Sequence, residues 1–276
     1  MNIIKTDQFD SVQMIQLGYS PIGSPFMSVF MYRVDGLLID TAQHHMAKAV
    51  RGLLAEKSLS GIILTHHHED HSGNAAMISR RHAIPVMAHP LAVERLRHGF
   101  PIRPYQHIVW GKAPAMEILP LPDTVETDRY AFTPIHTPGH SKDHTVFLEK
   151  KQGWLFSGDL YLGERIKFFR SDEHFCNQID SLKKILVLDF DIVFCAHNPC
   201  LKKGKQKIRN KLQFLEDLYG NIRKLAENGH SEKAVIKALD PKNDRGVKWF
   251  TLGNASFANM VHSALESIRL SDGISV

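Results

Sequence analysis

One short segment of this sequence concentrates side chains that bind metal ions. It runs Thr65-His66-His67-His68-Glu69-Asp70-His71-Ser72-Gly73 and contains the pattern His-x-His-x-Asp-His. Because residues two apart on an extended segment project to the same side, His66 and His68 can hold one ion together. Asp70 and His71 lie where the chain turns into a helix, so they point elsewhere and suit a second ion. Imidazole and carboxylate ligands are appropriate to zinc, iron or manganese.

The alternative interpretation of this segment is a solvated turn that is merely rich in histidine. The chain has 17 histidines among 276 residues, so the histidine pattern alone is modest evidence. The context is more specific, because an apolar strand over 61–64 precedes the motif and a helical pattern over 74–81 follows it. This context favours a metal site over a solvated turn.

Three further candidate ligands each follow a predicted strand directly. They are His140 after residues 130–136, Asp159 after residues 154–156, and His197 after residues 192–195. Taken singly, each of these would more often be an ordinary polar residue. Folds of the α/β class gather their sites at strand ends, however. Together with the histidine motif, the three residues indicate one site assembled from four strand ends.

The elements that must position these residues alternate between strand and helix. Runs rich in β-branched and aromatic residues predict strands over 12–19, 27–34, 37–40, 61–64, 85–89, 116–121, 130–136, 145–148, 154–156 and 192–195. Helical patterns predict helices over 47–57, 74–81, 91–97 and 179–188. This alternation predicts an α/β architecture.

Beyond residue 200 the sequence is mostly helical. Apolar residues recur at spacings of three and four, at Ile208, Leu212, Leu215, Tyr219 and Ile222. A short helix from Ser231 to Leu239, a polar linker over 241–246 and a last helix from 254 or 256 to about 268 follow. We expect a catalytic core over residues 1–200 and a helical region over 201–276, whose last segment packs back on the core.

Composition excludes several classes of protein. With 43% hydrophobic and 23% charged residues, the chain is typical of globular proteins rather than disordered ones. No apolar run approaches the roughly 18 residues that span a bilayer, and the start has no apolar signal-peptide core. Three cysteines are too few for a disulfide framework. We therefore expect a cytoplasmic protein with no membrane contact.

The positive charge of the chain is unevenly distributed. The net charge is +5, yet residues 201–250 carry +7 and the first 200 residues carry −1. One interpretation is a solvated helical face. The other is attraction for an anionic substrate or a nucleic acid.

The four ligand-bearing segments, in this order, resemble the metallo-β-lactamase superfamily. The matching parts are His-x-His-x-Asp-His, Thr-Pro-Gly-His ending at His140, Gly-Asp ending at Asp159, and the late strand-end His197. The run Leu38-Ile39-Asp40-Thr41 also resembles the family's strand before its first helix. The resemblance implies a four-layer αββα sandwich with a dinuclear metal site at one edge.

The resemblance also assigns the ligands of two divalent ions, with zinc foremost and iron or manganese as alternatives. The first ion would be held by His66, His68 and His140, the second by Asp70, His71 and His197, and Asp159 would bridge both. In true zinc β-lactamases a cysteine stands where this chain has Asp159, which argues against antibiotic hydrolysis. In flavodiiron oxygen reductases a glutamate stands in place of His68, which argues against that branch. The layout is most similar to glyoxalase II, lactonase and thioesterase-like hydrolases.

Two such ions lower the pKa of a shared water, so a metal-bridging hydroxide would be the nucleophile. Asp70 is the candidate catalytic residue that orients the hydroxide and relays its proton. Asp40 is the candidate acceptor that fixes the tautomer of a ligand histidine. Tyr161 could donate to a developing oxyanion. The comparable tyrosine of lactonases lies one residue further on, where this chain has Leu162, which weakens the lactonase assignment.

Two other histidines are not predicted to be metal ligands. His67 alternates to the side opposite His66 and His68, so we predict that it is not a ligand. His144 lies four residues beyond His140, and we expect it at the surface rather than at the mouth of the site.

Substrate recognition is predicted for the basic C-terminal region. Helical additions in this superfamily commonly cover the metal site, and Lys203, Lys207 and Lys211 are spaced by four along one helix face. We therefore predict hydrolysis of a small anionic ester, thioester or lactone. A phosphodiesterase or RNA-processing nuclease is the alternative, although no aromatic residues are interleaved with the basic run. Two further alternatives stay open. One is a binding or regulatory protein that keeps its metals, and the other is a homodimer formed through the helices.

Overall fold

The first of the two large β-sheets contains the N-terminal strands. In the computed structural model, which describes residues 2–240 and 244–271, its strands follow each other in chain order. They are β1 (Asn2–Phe9), β2 (Val12–Tyr19), β3 (Ser28–Val34), β4 (Leu37–Ile39), β5 (Gly61–Ile63), β6 (Val86–Ala88) and β7 (Leu119–Pro120). The pairs from β1 to β4 are antiparallel. Those from β4 to β7 are parallel.

The second sheet follows in the chain and packs on the first. Its strands are β8 (Val125–Glu126), β9 (Ala131–His136), β10 (Thr145–Glu149), β11 (Trp154–Gly158) and β13 (Ile192–Cys195). Their spatial order is β13-β11-β10-β9-β8, with β13 parallel to β11. A small ribbon pairs β12 (Phe169–Arg170) with β14 (Ala255–Ser256). This ribbon joins the C-terminal segment to the loop after β11.

Helices cover the outer faces of both sheets. In the first half of the chain they are α1 (Ala47–Leu53), α2 (Glu69–Ser72), α3 (Ala75–His82), α4 (Pro90–His98) and α5 (Pro104–Val109). In the second half they are α6 (Phe175–Leu186), α7 (Gly204–Glu227), α8 (Glu232–Leu239), α9 (Arg245–Phe250) and α10 (Phe257–Ser271). Within the two described ranges, none of them combines the length and the apolarity that crossing a membrane requires.

Alternating side chains along the strands build separate apolar interfaces between the layers. Val12 and Met14 of β2 point towards Phe147 of the second sheet, in the cluster between the sheets. Ile15 and Leu17 of the same strand pack with the outer helices. This alternation follows from the period of two in a β-strand. Helix, sheet, sheet and helix therefore form the four-layer αββα sandwich, which confirms the predicted fold.

The helical C-terminal region extends the outer layer of the second sheet. Its long helix α7 packs on α6, and α10 packs on α6, α7 and α8. The apolar stripe of α7 contributes Ile208, Leu215 and Ile222 to the cluster under these helices. The region thus packs against the sandwich along most of its described length. The division at residue 200 stays a prediction.

Several elements differ from the sequence-based expectations. Strand β1 was not predicted, because its side chains are mostly exposed and lack a hydrophobic alternation. It is ordered by its full register with β2. The helix expected over 47–57 ends at Leu53, and the strand expected over 116–121 is reduced to β7. Part of the predicted 241–246 linker belongs to α9, whereas 241–243 lie outside the described residues.

Candidate metal centre

The seven predicted ligands come together at the carboxyl ends of four strands. The histidine motif follows β5, His140 follows β9, Asp159 follows β11, and His197 follows β13. Helix α2 begins inside the motif and carries Asp70 and His71. All four segments deliver their side chains to one place, because potential ligand atoms from them lie within 4.8 Å of one another in overlapping groups.

Three imidazoles form the first group of potential ligands. His66 Nε2 lies 2.8 Å from His68 Nδ1, which lies 3.1 Å from His140 Nε2. All three side chains are buried. Burial, together with neighbouring histidines, lowers the pKa of His66 well below its usual value. Neutral imidazoles are the form that coordinates metal ions.

The second group combines one carboxylate with two imidazoles. Asp70 Oδ2 lies 3.4 Å from His197 Nε2 and 3.7 Å from His71 Nε2. Burial opposes ionisation of Asp70, but the charges of His71 and His197 hold its pKa below the usual value. Asp70 is therefore an anion at neutral pH, as a metal ligand must be.

Asp159 lies between the two groups. Its Oδ2 is 3.3 Å from His140 Nε2 of the first group. Its Oδ1 is 3.4 Å from His71 Nε2 and 3.5 Å from His197 Nε2 of the second. One carboxylate thus directs one oxygen to each group, which is the arrangement that a bridging ligand requires.

Unpartnered polar atoms show that the residues fit metal ions. Two buried side-chain atoms that face each other in the cluster, His71 Nε2 and Asp159 Oδ1, have no hydrogen-bond partner. Leaving a buried polar atom unpaired costs about 1–3 kcal/mol. An unpaired nitrogen and an unpaired carboxylate oxygen at this place are explained by a cation that the cluster is built to bind. The assignment of each ligand to an ion stays a prediction.

Asp40 fixes the orientation of His71. It follows β4 with a positive φ of 60°, an unfavourable backbone conformation for a residue with a side chain. In this conformation Asp40 Oδ2 lies 2.8 Å from His71 Nδ1, and Oδ1 accepts a hydrogen bond from the Thr65 backbone. The ring of His71 then presents Nε2 to the cluster. The predicted role of Asp40 as a histidine partner is confirmed.

His144 is buried behind the site, which corrects its predicted surface position. Its Nε2 accepts a hydrogen bond from the Asp159 backbone at 3.1 Å, and Nδ1 lies 2.9 Å from Thr137 Oγ1. Gly158, with φ of 46°, lets this ring approach closely, because a Cβ there would lie 2.8 Å from His144 Nε2. His144 therefore holds the turn that carries Asp159. The spacing of the histidines in the sequence did not indicate that His144 is buried behind Asp159.

His67 points away from the ligands, as its alternation predicted. Its Nδ1 lies 2.8 Å from Asp143 Oδ1, and its backbone N–H donates to Asp143 Oδ2. Arg95 Nη1 approaches His67 Nε2 at 2.6 Å. These contacts anchor the motif loop to α4 and to the loop after β9. Asp143 and Arg95 were not identified from the sequence, since isolated charged residues have no spacing signal.

An open cleft gives access to the ligand cluster, and its empty space, including the solvent at its mouth, is about 770 Å³. His68, Asp70, His140, Asp159 and His197 line its floor. The remaining lining is mainly apolar and consists of Phe26, Met27, Val109, Trp110, Leu162, Phe168, Val247, Phe250 and Ala255. Tyr105, Arg170, Glu173 and Thr251 add polar groups. The cleft can therefore receive a substrate with both apolar and polar parts.

Arg170 of β12 is a cleft residue that sequence reasoning missed. Its Nε lies 3.4 Å from Asp172 Oδ1, but the atom has no aligned hydrogen-bond partner. Its backbone N–H donates to Glu173 Oε1 at 2.9 Å, and Glu173 Oε2 lies 3.4 Å from His140 Nδ1. Arg170 lines both this cleft and a neighbouring polar one. Its contacts come from tertiary packing, so no local sequence pattern predicts them.

The residues predicted to bind substrate do not lie at the cleft. Lys211 is fully buried and donates from Nζ to the carbonyl of Leu160, which corrects its predicted place on an exposed basic face. Lys203, directly before α7, and Lys207, in its first turn, are not among the residues that line the cleft. Tyr161 is buried in the cluster under the outer helices, and its neighbour Leu162 lines the cleft instead. The geometry supports neither an oxyanion contact from Tyr161 nor substrate capture by these lysines.

Comparison with known proteins agrees with this architecture. A family model described as the metallo-beta-lactamase superfamily matches residues 28–197. An atrochrysone carboxyl ACP thioesterase from Aspergillus novofumigatus is 27% identical over 244 residues, or 87% of this chain and 65% of that protein. A hydroxyacylglutathione hydrolase from Bdellovibrio bacteriovorus is 30% identical over 112 residues, or 38% of this chain and 36% of that protein.

A solved structure shows the same fold over nearly the whole chain. The metallo-beta-lactamase family protein from Thermus thermophilus superimposes with a TM-score of 0.68 and 20% sequence identity, covering 96% of this chain and 95% of that one. The chain spans between about half and two thirds of the length of the first curated relatives that it matches.

Proposed function

This chain belongs to the metallo-β-lactamase superfamily, and we propose that it is a dinuclear, metal-dependent hydrolase of a small thioester. The observation that carries the proposal is Asp159, whose two oxygens face two separate groups of ligands. The names of similar proteins support a thioester, since they include a thioesterase and a hydroxyacylglutathione hydrolase. Esters and lactones are the related substrates to compare. We place the reaction in the cytoplasm on the basis of the three unpaired cysteines.

The chain's own residues would hold the substrate and the attacking water in place. Two divalent ions, zinc in our proposal, would supply a water of lowered pKa and polarise the thioester carbonyl. Asp70 lines the floor of the cleft and would orient that water by accepting a hydrogen bond from it. Asp40 and His144 keep His71 and the Asp159 turn in position, so little reorganisation is needed during the reaction.

We propose Arg170, rather than the lysines of α7, as the partner of an anionic group on the substrate. Arg170 lines the cleft. Asp172 Oδ1 lies 3.4 Å from its side-chain Nε, and Glu173 Oε1 accepts a hydrogen bond from its backbone N–H. Guanidinium groups bind carboxylates and phosphates in two-pronged geometry. Acetyl-coenzyme A and short acyl-glutathione thioesters supply such anionic groups.

A hydrolysis screen tests this proposal. The zinc-loaded protein is assayed with thioesters, esters, lactones, phosphodiesters and RNA, and each assay is repeated after chelation and after zinc is restored. We expect turnover to be highest with thioesters, to disappear on chelation and to return with the metal. Cleavage of RNA in preference to every thioester would support the nuclease alternative. Bound metal without turnover of any substrate would support a binding or regulatory protein.

A further inference from the structure

Two segments far apart in the sequence form an apolar wall on one side of the cleft. Phe26 and Met27 come from the loop between β2 and β3, and Val247 and Phe250 come from α9. The ring centroids of Phe26 and Phe250 are 6.2 Å apart, so the two segments meet. We call these four residues the apolar wall.

The apolar wall shares its cavity with the ligand cluster. Val109 and Trp110 add further apolar lining to the same cleft. The Trp110 ring centroid is 6.4 Å from that of His197. A carbonyl placed over the ligand cluster can therefore direct one of its two substituents towards the apolar lining of the cleft.

A second cleft with a mainly polar lining adjoins the first at His68 and Arg170. Its polar side chains are the basic Arg95 and Arg103, the acidic Glu69 and Asp172, and Gln106 among others. Biological thioesters have polar, commonly anionic thiol carriers. The division of the site therefore matches a substrate whose thiol part lies on the polar side and whose acyl part lies on the apolar side.

The wall has apolar surface left uncovered by protein. Phe26 is 60% exposed although it lines the cleft. Exposed apolar surface beside polar groups is typical of a ligand-binding groove. The two segments also carry apolar residues that do not line the cleft, namely Ile22, 87% exposed, and Trp249, 81% exposed. These provide matched comparisons on the same loop and the same helix.

We propose that the apolar wall is an acyl-binding subsite, which selects thioesters with an apolar chain or ring next to the carbonyl. This inference rests on the proposed thioester hydrolysis and adds the class of acyl group. Each buried methylene contributes about 0.8 kcal/mol, so kcat/KM should rise by up to roughly fourfold per methylene until the wall is covered. Hexanoyl thioesters should therefore exceed acetyl thioesters by about tenfold or more.

The test compares lining and non-lining residues of the same two segments. Acetyl, butyryl and hexanoyl thioesters of coenzyme A are assayed with wild-type protein, Phe26→Ala and Phe250→Ala, and with the controls Ile22→Ala and Trp249→Ala. We expect the hexanoyl-to-acetyl ratio of kcat/KM to fall by about fivefold or more in the two lining variants. The two controls should keep the wild-type ratio. An unchanged ratio in both lining variants, or an equal fall in the controls, would overturn the subsite.

A binding measurement separates this inference from the proposed activity. The zinc-loaded proteins are titrated calorimetrically with acetate, butyrate and hexanoate, the products of those reactions. Hexanoate should bind more tightly than acetate, and Phe250→Ala should reduce that difference whereas Trp249→Ala should not. If no thioester is hydrolysed, the proposed function fails, yet this series still supports or overturns the subsite. Equal binding of the three carboxylates to the wild-type protein would overturn it.

Discussion

The metal centre and helix α7 stabilise buried charge in different ways. At the metal centre, the carboxylates of Asp40, Asp70 and Asp159 lie within 4 Å of imidazole nitrogens. In α7, Lys211 is equally buried, but within the described residues its ammonium pairs with no carboxylate and donates to the carbonyl of Leu160. The buried carboxylates of the metal centre thus lie beside imidazoles that can bind the same metal ions. The lysine instead supports the loop that follows Asp159.

Buried charge attracts ions at the metal centre but supports packing in α7. Buried carboxylates whose pKa values stay low, such as that of Asp159, keep a negative site ready for divalent ions. For Lys211, burial lowers the pKa to about 8. Its charge therefore costs stability at neutral pH rather than attracting substrate. The basic composition of residues 201–250 is not by itself evidence of a substrate-binding helix.

The largest effect is expected for Asp70→Ala. The substitution removes a ligand of the second group and the residue that orients the attacking water. We expect kcat/KM for a thioester to fall by at least about 100-fold while the circular dichroism spectrum stays unchanged. Turnover close to that of the wild type, in a folded and metal-loaded variant, would show that Asp70 has neither role.

Asp40→Asn should weaken the second metal site through His71. Partners behind ligand histidines are worth about 10–100-fold in metal affinity or activity, so a loss in that range is expected in a chelator competition. Glu173→Gln is the matched change behind His140 of the first group. Because Glu173 lies 3.4 Å from a poorly aligned Nδ1, its loss should cost less than Asp40→Asn. A larger effect of Glu173→Gln would show that the first group depends more on its buried carboxylate than the second does.

Lys211→Met tests the cost of the buried ammonium. Between its folded pKa of about 8 and its ordinary value near 10.5, the unfolded chain binds more protons than the native protein. Native stability therefore rises with pH through this interval. Urea unfolding at pH 7 and pH 10 should show the wild type gaining about 2 kcal/mol relative to Lys211→Met. A constant difference between the two proteins would mean that Lys211 titrates normally.

Much of the centre was predictable because its ligands lie in short motifs. His66, His68, Asp70 and His71 stand within six residues, and each remaining ligand follows a predicted strand. The alternation of strands and helices predicted an α/β architecture, and the family resemblance implied the four-layer sandwich. Arg170 and Phe250 could not be predicted, because the ribbon of β12 with β14 and the short helix α9 bring them to the cleft from a distance. Burial of Lys211 depends on packing of α7 that its spacing alone did not reveal.

The smallest effect is expected from neutralising the exposed end of α7. Lys203→Gln combined with Lys207→Gln changes charges away from the cleft, and salt screens such charges over about 10 Å at 0.1 M. We expect KM to change by less than about twofold, with its salt dependence kept. Arg170→Gln is the contrasting variant, and it should raise KM for anionic thioesters more. A strong rise in KM in the double lysine variant would show that the start of α7 contributes to substrate capture.

Two metal sites joined by Asp159 are the feature on which the proposed chemistry depends, and metal content tests them most directly. Elemental analysis by mass spectrometry is applied to protein reconstituted with zinc and dialysed, for the wild type and Asp159→Asn. We expect two zinc ions per wild-type chain and a loss of at least one in the variant. A single ion in the wild type, unchanged by Asp159→Asn, would contradict the dinuclear site.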